Sequence, residues 1–192
     1  MTSKYQICVS GAAKGDSVER GAELAKAIGA AVAKAGHTLM SGATGGLPDF
    51  AAAGYKAAGG KMSLGLSPAH SKIEHVMKYR LPTKHYDAIL YSGLHYGGRD
   101  ALLINSCDAV VTIGGRLGTL HEFTIAAENH TPIGVLEGAG GISAQIESLL
   151  KLLPNADPDI VIFEEDPDKL IAKLTHMLDK LNHRYLSLYE HN

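Results

Sequence analysis

The chain is short of cysteine, of net charge and of long apolar stretches, and each shortage excludes a class of protein. Only Cys8 and Cys107 occur, each within or beside an apolar run, and there is no CxxC pair. A disulfide framework is therefore excluded, and a reducing compartment is expected. Eighteen basic residues against twenty acidic ones leave a formal charge of −2. A general nucleic-acid binder carries a basic excess, so that class is disfavoured, whereas a small anion held by a few groups is not. No apolar run reaches the roughly eighteen residues of a membrane span. The opening MTSKYQICVSG lacks the apolar core of a secretion signal. A soluble, cytoplasmic protein is expected, with neither nucleic acid nor membrane as partner. With 7 prolines, no G-x-y repeat and 45% apolar residues, the chain is neither collagen-like nor of low complexity.

Glycine is present in excess: 22 in 192 residues, about 11% against a usual 7% or so. Every one lies between Gly11 and Gly141. Glycine concentrated in part of a globular chain signals tight turns, or places where a ligand touches backbone. At this length a single domain, residues 1–192, is expected, burying about 70% of the unfolded chain's surface.

Strand-like apolar runs alternate with helical patterns along the chain. Strands are expected at Tyr5–Ser10, His37–Ser41, Lys61–Leu66, Tyr86–Tyr91, Asp108–Ile113, Pro132–Leu136 and Asp159–Phe163. Asp16-Ser17-Val18-Glu19 has the form of a capping box opening a helix that Gly36 stops. Further helices are expected from about Pro48 to Gly59-Gly60, then over Arg99–Ser106, Thr119–Asn129, Ile142–Leu153 and Asp166–Leu181. Ser67–Lys84 is the least regular stretch, and the polar tail 182–192 is expected to fray or serve in contacts. This alternation predicts a Rossmann-like α/β fold: an open, mostly parallel sheet of about seven strands with helices on both faces.

Many of the glycines follow strands. Gly11 and Gly15 follow the first, Gly42, Gly45 and Gly46 the second, and Gly93, Gly97 and Gly98 the fourth. Gly114, Gly115 and Gly118 follow the fifth, and Gly138, Gly140 and Gly141 the sixth. In an open α/β sheet these turns share the carboxyl edge, where ligands bind. Backbone N–H groups and helix N-termini there suit a phosphate. The plainer reading is that such turns use glycine in every fold of this kind. There is no GxxxxGK[ST] loop, the first turn is Ser10-Gly11-Ala12-Ala13-Lys14-Gly15 rather than GxGxxG, and no acidic residue ends the second strand. An ordinary nicotinamide-dinucleotide enzyme is disfavoured on those grounds.

The segment Asp108–Glu122 is the most informative. A buried strand runs into Gly114-Gly115-Arg116-Leu117-Gly118-Thr119, and Glu122 lies one helical turn further on. Thr119 either caps the helix or donates its hydroxyl to a phosphate. Glu122 is either a first-turn residue favoured by the helix dipole or a group that does chemistry or binds hydroxyls. Arg116 either adds a phosphate contact or faces solvent.

GGRLGTLHE resembles the PGGxGTxxE signature of the Lonely Guy (LOG), lysine-decarboxylase-like proteins. It is closer still to the GGGxGTxxE form of the molybdenum-cofactor carrier-like proteins. Arg99, nine residues before Asp108, has the spacing of the family's arginine, and Ser41–Leu47 (SGATGGL) is a weaker GGGxxGLMG. The resemblance spans roughly residues 5–165. It implies a phosphate or nucleotide site made of Ser10, Gly11, Gly42, Thr44, Gly45 and Gly46 with Gly114, Gly115, Arg116, Leu117, Gly118 and Thr119. In the family's phosphoribohydrolases the N-glycosidic bond of a nucleoside 5′-monophosphate is hydrolysed. Carried over, Glu122 would orient water or stabilise the ribose cation, and Arg99 would bind ribose or phosphate. A carboxylate suits the oxocarbenium charge that develops. The alternative implied is a carrier or sensor that holds a nucleotide or molybdopterin-type cofactor without turnover; no cofactor is otherwise required. A homodimer or higher homo-oligomer is also implied.

The chain departs from the pattern at Gly114 for proline, Arg116 for glycine and Asp100 for the lysine after the arginine. Ser41, Ala43, Pro48 and Asp49 depart from the glycine-rich motif, and Tyr96 replaces the LOG methionine. These changes weigh on hydrolysis more than on binding.

Ten histidines include His70, His75, His85 and His95 in one irregular stretch, but HxxxH and HExxH spacings are missing, so no metal site is expected. His121 adjoins Glu122 and is a candidate to line the site. GxSxG is missing too, which leaves a serine hydrolase unsupported. Tyr86, Tyr91 and Tyr96 fit no single face: packing is the plain reading, and stacking of one on a base the alternative. Leu170, Leu174, Leu178 and Leu181 form one stripe, for packing on the sheet or for an interface.

Overall fold

The computed structural model describes residues 5–153 and 156–185. They form a seven-stranded, wholly parallel sheet with helices on both faces. The strands are β1 (Gln6–Gly11), β2 (Thr38–Ser41), β3 (Ser63–Ser67), β4 (Ala88–Tyr91), β5 (Ala109–Ile113), β6 (Ile133–Leu136) and β7 (Val161–Glu164). The helices are α1 (Asp16–Lys34), α2 (Leu47–Ala57), α3 (Lys72–Met77), α4 (His95–Asn105), α5 (Leu117–Glu128), α6 (Ile146–Leu150) and α7 (Pro167–Asn182).

Strand order is β4-β3-β2-β1-β5-β6-β7. The chain builds outward from β1 on one side, then returns to lay β5 against β1's other edge. That reversal opens a crevice beyond the carboxyl ends of β1 and β5, the place where open α/β sheets take ligands. Parallel register sets Ser10 beside Thr112 and Gly11 beside Ile113.

The two-residue period of a strand sorts the core into two layers. Ile7, Val9, Leu39, Ala109, Val111 and Ile113 face α1, α2 and α7, packing on Ile28, Val32, Ala51, Tyr55, Leu170 and Leu174. Cys8, Met40, Val110, Ile133 and Val135 face the other way, onto Leu103, Ile104, Phe123, Ala126 and Ile146. A strand buried on both faces must be apolar at every position, and β5 is fully buried. The Leu170, Leu174 and Leu178 stripe is buried in the first layer, and Leu181 is exposed.

Several expectations are corrected. The capping box does not form: Gly15 takes the N-cap position, and Asp16 and Glu19 lie in the first turn of α1, where the dipole favours them. Ser67–Lys84 holds a helix, α3, capped by Ser71, whose hydroxyl accepts from the Glu74 N–H. α4 begins at His95, so Gly97 and Gly98 are helical rather than turn residues and Arg99 lies one turn inside. Thr119 is not a cap: α5 starts at Leu117 with Arg116 in the cap position. The helix expected over Ile142–Leu153 is a 3-10 segment, Gly141–Gln145, followed by the short α6. Most of the tail, residues 186–192, lies outside the described residues.

Candidate functional site

The turns after β1, β2 and β5 converge with α4 around a cleft of about 310 Å³. Of the candidate residues, Ser10, Gly11, Gly42, Thr44, Arg99, Arg116, Gly118, Thr119 and Glu122 line it, joined by Tyr96 and Asp100. Gly45, Gly46, Gly114, Gly115 and Leu117 do not. Gly114 donates its N–H to the Ser143 hydroxyl, and its carbonyl and that of Gly115 accept from Ser143 and Ile142. These two glycines therefore bind the loop after β6. Gly115 also lets the chain pass over Thr119, since a Cβ there would lie 2.3 Å from the threonine Oγ1. Leu117 is 83% exposed.

The cleft's inner wall is a buried charged cluster. Glu122 accepts from the Ser10 hydroxyl and, at 3.1 Å, from Arg99 Nη1. Arg99 Nη2 lies 3.5 Å from Asp100 Oδ1, and Asp100 Oδ2 lies 2.9 Å from His121 Nδ1. Arg99, Asp100 and Glu122 are all buried. The Arg99 guanidinium lies against Gly42, where an added Cβ would sit 2.1 Å from Nη1. Arg99 Nε is buried without a hydrogen-bond partner. Tyr96 stands at the mouth, edge-on to Tyr79, with the Arg99 guanidinium 6.0 Å from its ring centre.

Burial pushes the Glu122 carboxyl up to about 7, against the pull of Arg99 and with the Asp100 charge pushing the same way. Desolvation outweighs the nearby cation because the group has almost no water left. The Cys8 thiol, on the same face of β1–β5, is held well above its usual range by a hydrogen bond with Cys107 and by burial.

Asp100, a departure from the family pattern, is the hinge of the cluster, lying against both Arg99 and His121. His121, a candidate to line the site, instead braces Asp100 from outside. The four histidines of the irregular stretch have separate partners: His70 with Glu74, His75 with Ser67, His85 with Asp49 and His95 with Tyr79. Tyr86 is bonded to Ser41 and Tyr91 packs on His75. The signal for Asp100 and His121 was present in sequence, since each adjoins a candidate residue, but their pairing depends on how α4 docks on α5.

Fold and cleft define a Rossmann-like α/β protein of the open, doubly wound kind, with a polar cleft at its switch point. Within that class the chain belongs to the SLOG cluster4 family, whose family model matches residues 4–171. An uncharacterized protein of Archaeoglobus fulgidus is 28% identical over 132 residues, which is 69% of this chain and 80% of that one. Among solved structures, the molybdenum cofactor carrier protein of Chlamydomonas reinhardtii is similar with a TM-score of 0.73 and 25% identity, covering 90% of this chain and 97% of its own. The molybdenum cofactor binding protein of the phototrophic bacterium Rippkaea orientalis gives a TM-score of 0.72 at 23% identity, covering 93% and 99%. At that identity the second likeness speaks for the fold alone.

Proposed function

We propose that this chain binds a phosphorylated small molecule, a nucleotide or a molybdopterin-type cofactor, in the cleft beyond β1, β2 and β5, and holds it as a carrier or sensor. The observation that carries this reading is Arg99: a buried guanidinium on the cleft wall whose Nε has no protein partner. Buried donors are normally satisfied, so an unpaired one on a guanidinium at the cleft wall leaves hydrogen-bonding capacity to spare for an anion. Arg116 at the rim and the first-turn N–H groups of α5, at Gly118 and Thr119, add positive potential. The likeness to the cofactor carrier structure of Chlamydomonas reinhardtii favours retention over turnover.

A second reading is hydrolysis of a nucleoside 5′-monophosphate, favoured by the Arg99–Glu122 pair and by a carboxyl held up near 7. One panel separates the two: nucleoside monophosphates and a molybdopterin-type cofactor are added in turn, and both melting temperature and released base are scored. A carrier should show a ligand-dependent rise with no base. At a hundredfold excess over Kd the gain is about 2.7 kcal/mol, or roughly 5–10 °C for a chain of this size. Base release would replace the carrier with the hydrolase, and Glu122→Ala should then abolish release while phosphate binding persists. If no phosphorylated compound raises the melting temperature, the cleft is not an anion site.

A further inference from the structure

Asp100 and His121 form a relay from the protein surface to the cleft's inner wall. His121, its side chain 47% exposed, meets Asp100 Oδ2 at 2.9 Å; Asp100, its side chain 6% exposed, faces Arg99 through Oδ1. Arg99 closes the loop onto Glu122. Two carboxyl groups this close around one guanidinium cannot both carry full charge cheaply, so a proton held on one is felt by the other. Histidine is the side chain that ordinarily changes charge between about pH 5 and 8.

We propose that Asp100 and His121 are positioning residues of this cleft, holding Arg99 in place and making the charge of Glu122 depend on the charge of His121 at the rim. The inference rests on the reading of the cleft as the ligand site. With its proton, Glu122 leaves the cleft less negative, so an anion enters together with a proton. The groups around Glu122 are Arg99, Asp100 and Tyr96 from α4, Thr119 from α5, Ser10 and Cys8 from β1, and Arg116 from the loop after β5, with His121 of α5 behind Asp100. Cys8 and Tyr96 are shifted upward, and Cys8 stays neutral through the range at issue.

The test uses the full chain without ligand, so it fails or succeeds independently of the ligand panel. Glu122 is titrated by carboxyl-carbon NMR between about pH 4 and 9 in the wild type, His121→Gln and Asp100→Asn. Glutamine keeps a donor for Asp100 but cannot become cationic. The Glu122 midpoint should rise by about one pH unit in His121→Gln and fall by a similar amount in Asp100→Asn. One unchanged midpoint in all three proteins, even with lowered melting temperatures, would overturn the proposal and reduce both residues to structural supports. Should Asp100→Asn fail to fold, the rim variant His121→Gln decides alone.

Discussion

At the scale of single residues, two glycines of one turn have opposite roles. Gly42 has the Arg99 guanidinium where its Cβ would be, whereas a Cβ on Gly45 meets nothing within 4 Å. Gly42→Ala should therefore dislodge Arg99, costing roughly 1–3 kcal/mol in denaturant unfolding and most of any anion affinity, while Gly45→Ala should stay within about 0.5 kcal/mol. Ala43, where the family pattern has glycine, takes φ +51, and its buried methyl group fills the space beside Gly65. The residue departs from the pattern while the backbone keeps the conformation glycine favours. Glu122 sets a pH dependence whose sign is fixed. A carboxyl raised from an ordinary 4.5 to about 7 binds its proton more tightly in the folded state. Folding is therefore favoured in acid, and stability falls as pH rises from about 4.5 to 7. The melting temperature of Glu122→Gln, followed across that window, should lose this slope. Glu74 and Glu164, lowered to about 2 by Lys78 and Lys173, act in the opposite sense and below it.

At the scale of elements, glycine has a use that turn chemistry did not foretell. α1 and α2 approach so closely that a Cβ on Gly29 would lie 1.9 Å from the Ala51 carbonyl oxygen, and one on Gly54 2.1 Å from that of Lys26. Backbone cannot yield as a side-chain tip can. Either alanine substitution should force the helices apart and cost roughly 2–4 kcal/mol, measured by chemical denaturation. That exceeds the helix-propensity gain of about 1 kcal/mol that alanine brings. Gly36 behaves as its position at a helix end suggests, with φ +77 and the His37 N–H returning to the Val32 carbonyl. Both kinds of glycine look alike in the sequence; only the partner helix tells them apart.

At the scale of the whole molecule, we propose that the chain unfolds as one domain, since every described strand joins a single sheet. Calorimetry should show one transition with equal calorimetric and van't Hoff enthalpies. We also propose a homo-oligomer: Ile73, Met77, Leu90 and Leu94 are exposed on α3, the edge strand β4 and the segment leading into α4. Sedimentation equilibrium should return at least a dimer mass, and Leu90→Lys should lower it. The sequence by itself determined the alternation of strands and helices, the buried middle strand and the turn that carries Gly114 to Thr119. Period-two and period-3.6 patterns and positive-φ glycines are local properties, written in neighbouring residues. It also marked Arg99 and Glu122, through spacing shared with a family. Only the tertiary structure decided that Gly114 and Gly115 hold the loop after β6 while Ser10, Asp100 and His121 complete the charged wall. Those contacts join residues from 21 to 112 positions apart. They arise where β5 docks on β1 and α4 on α5, and no local pattern records which side chains such docking brings together.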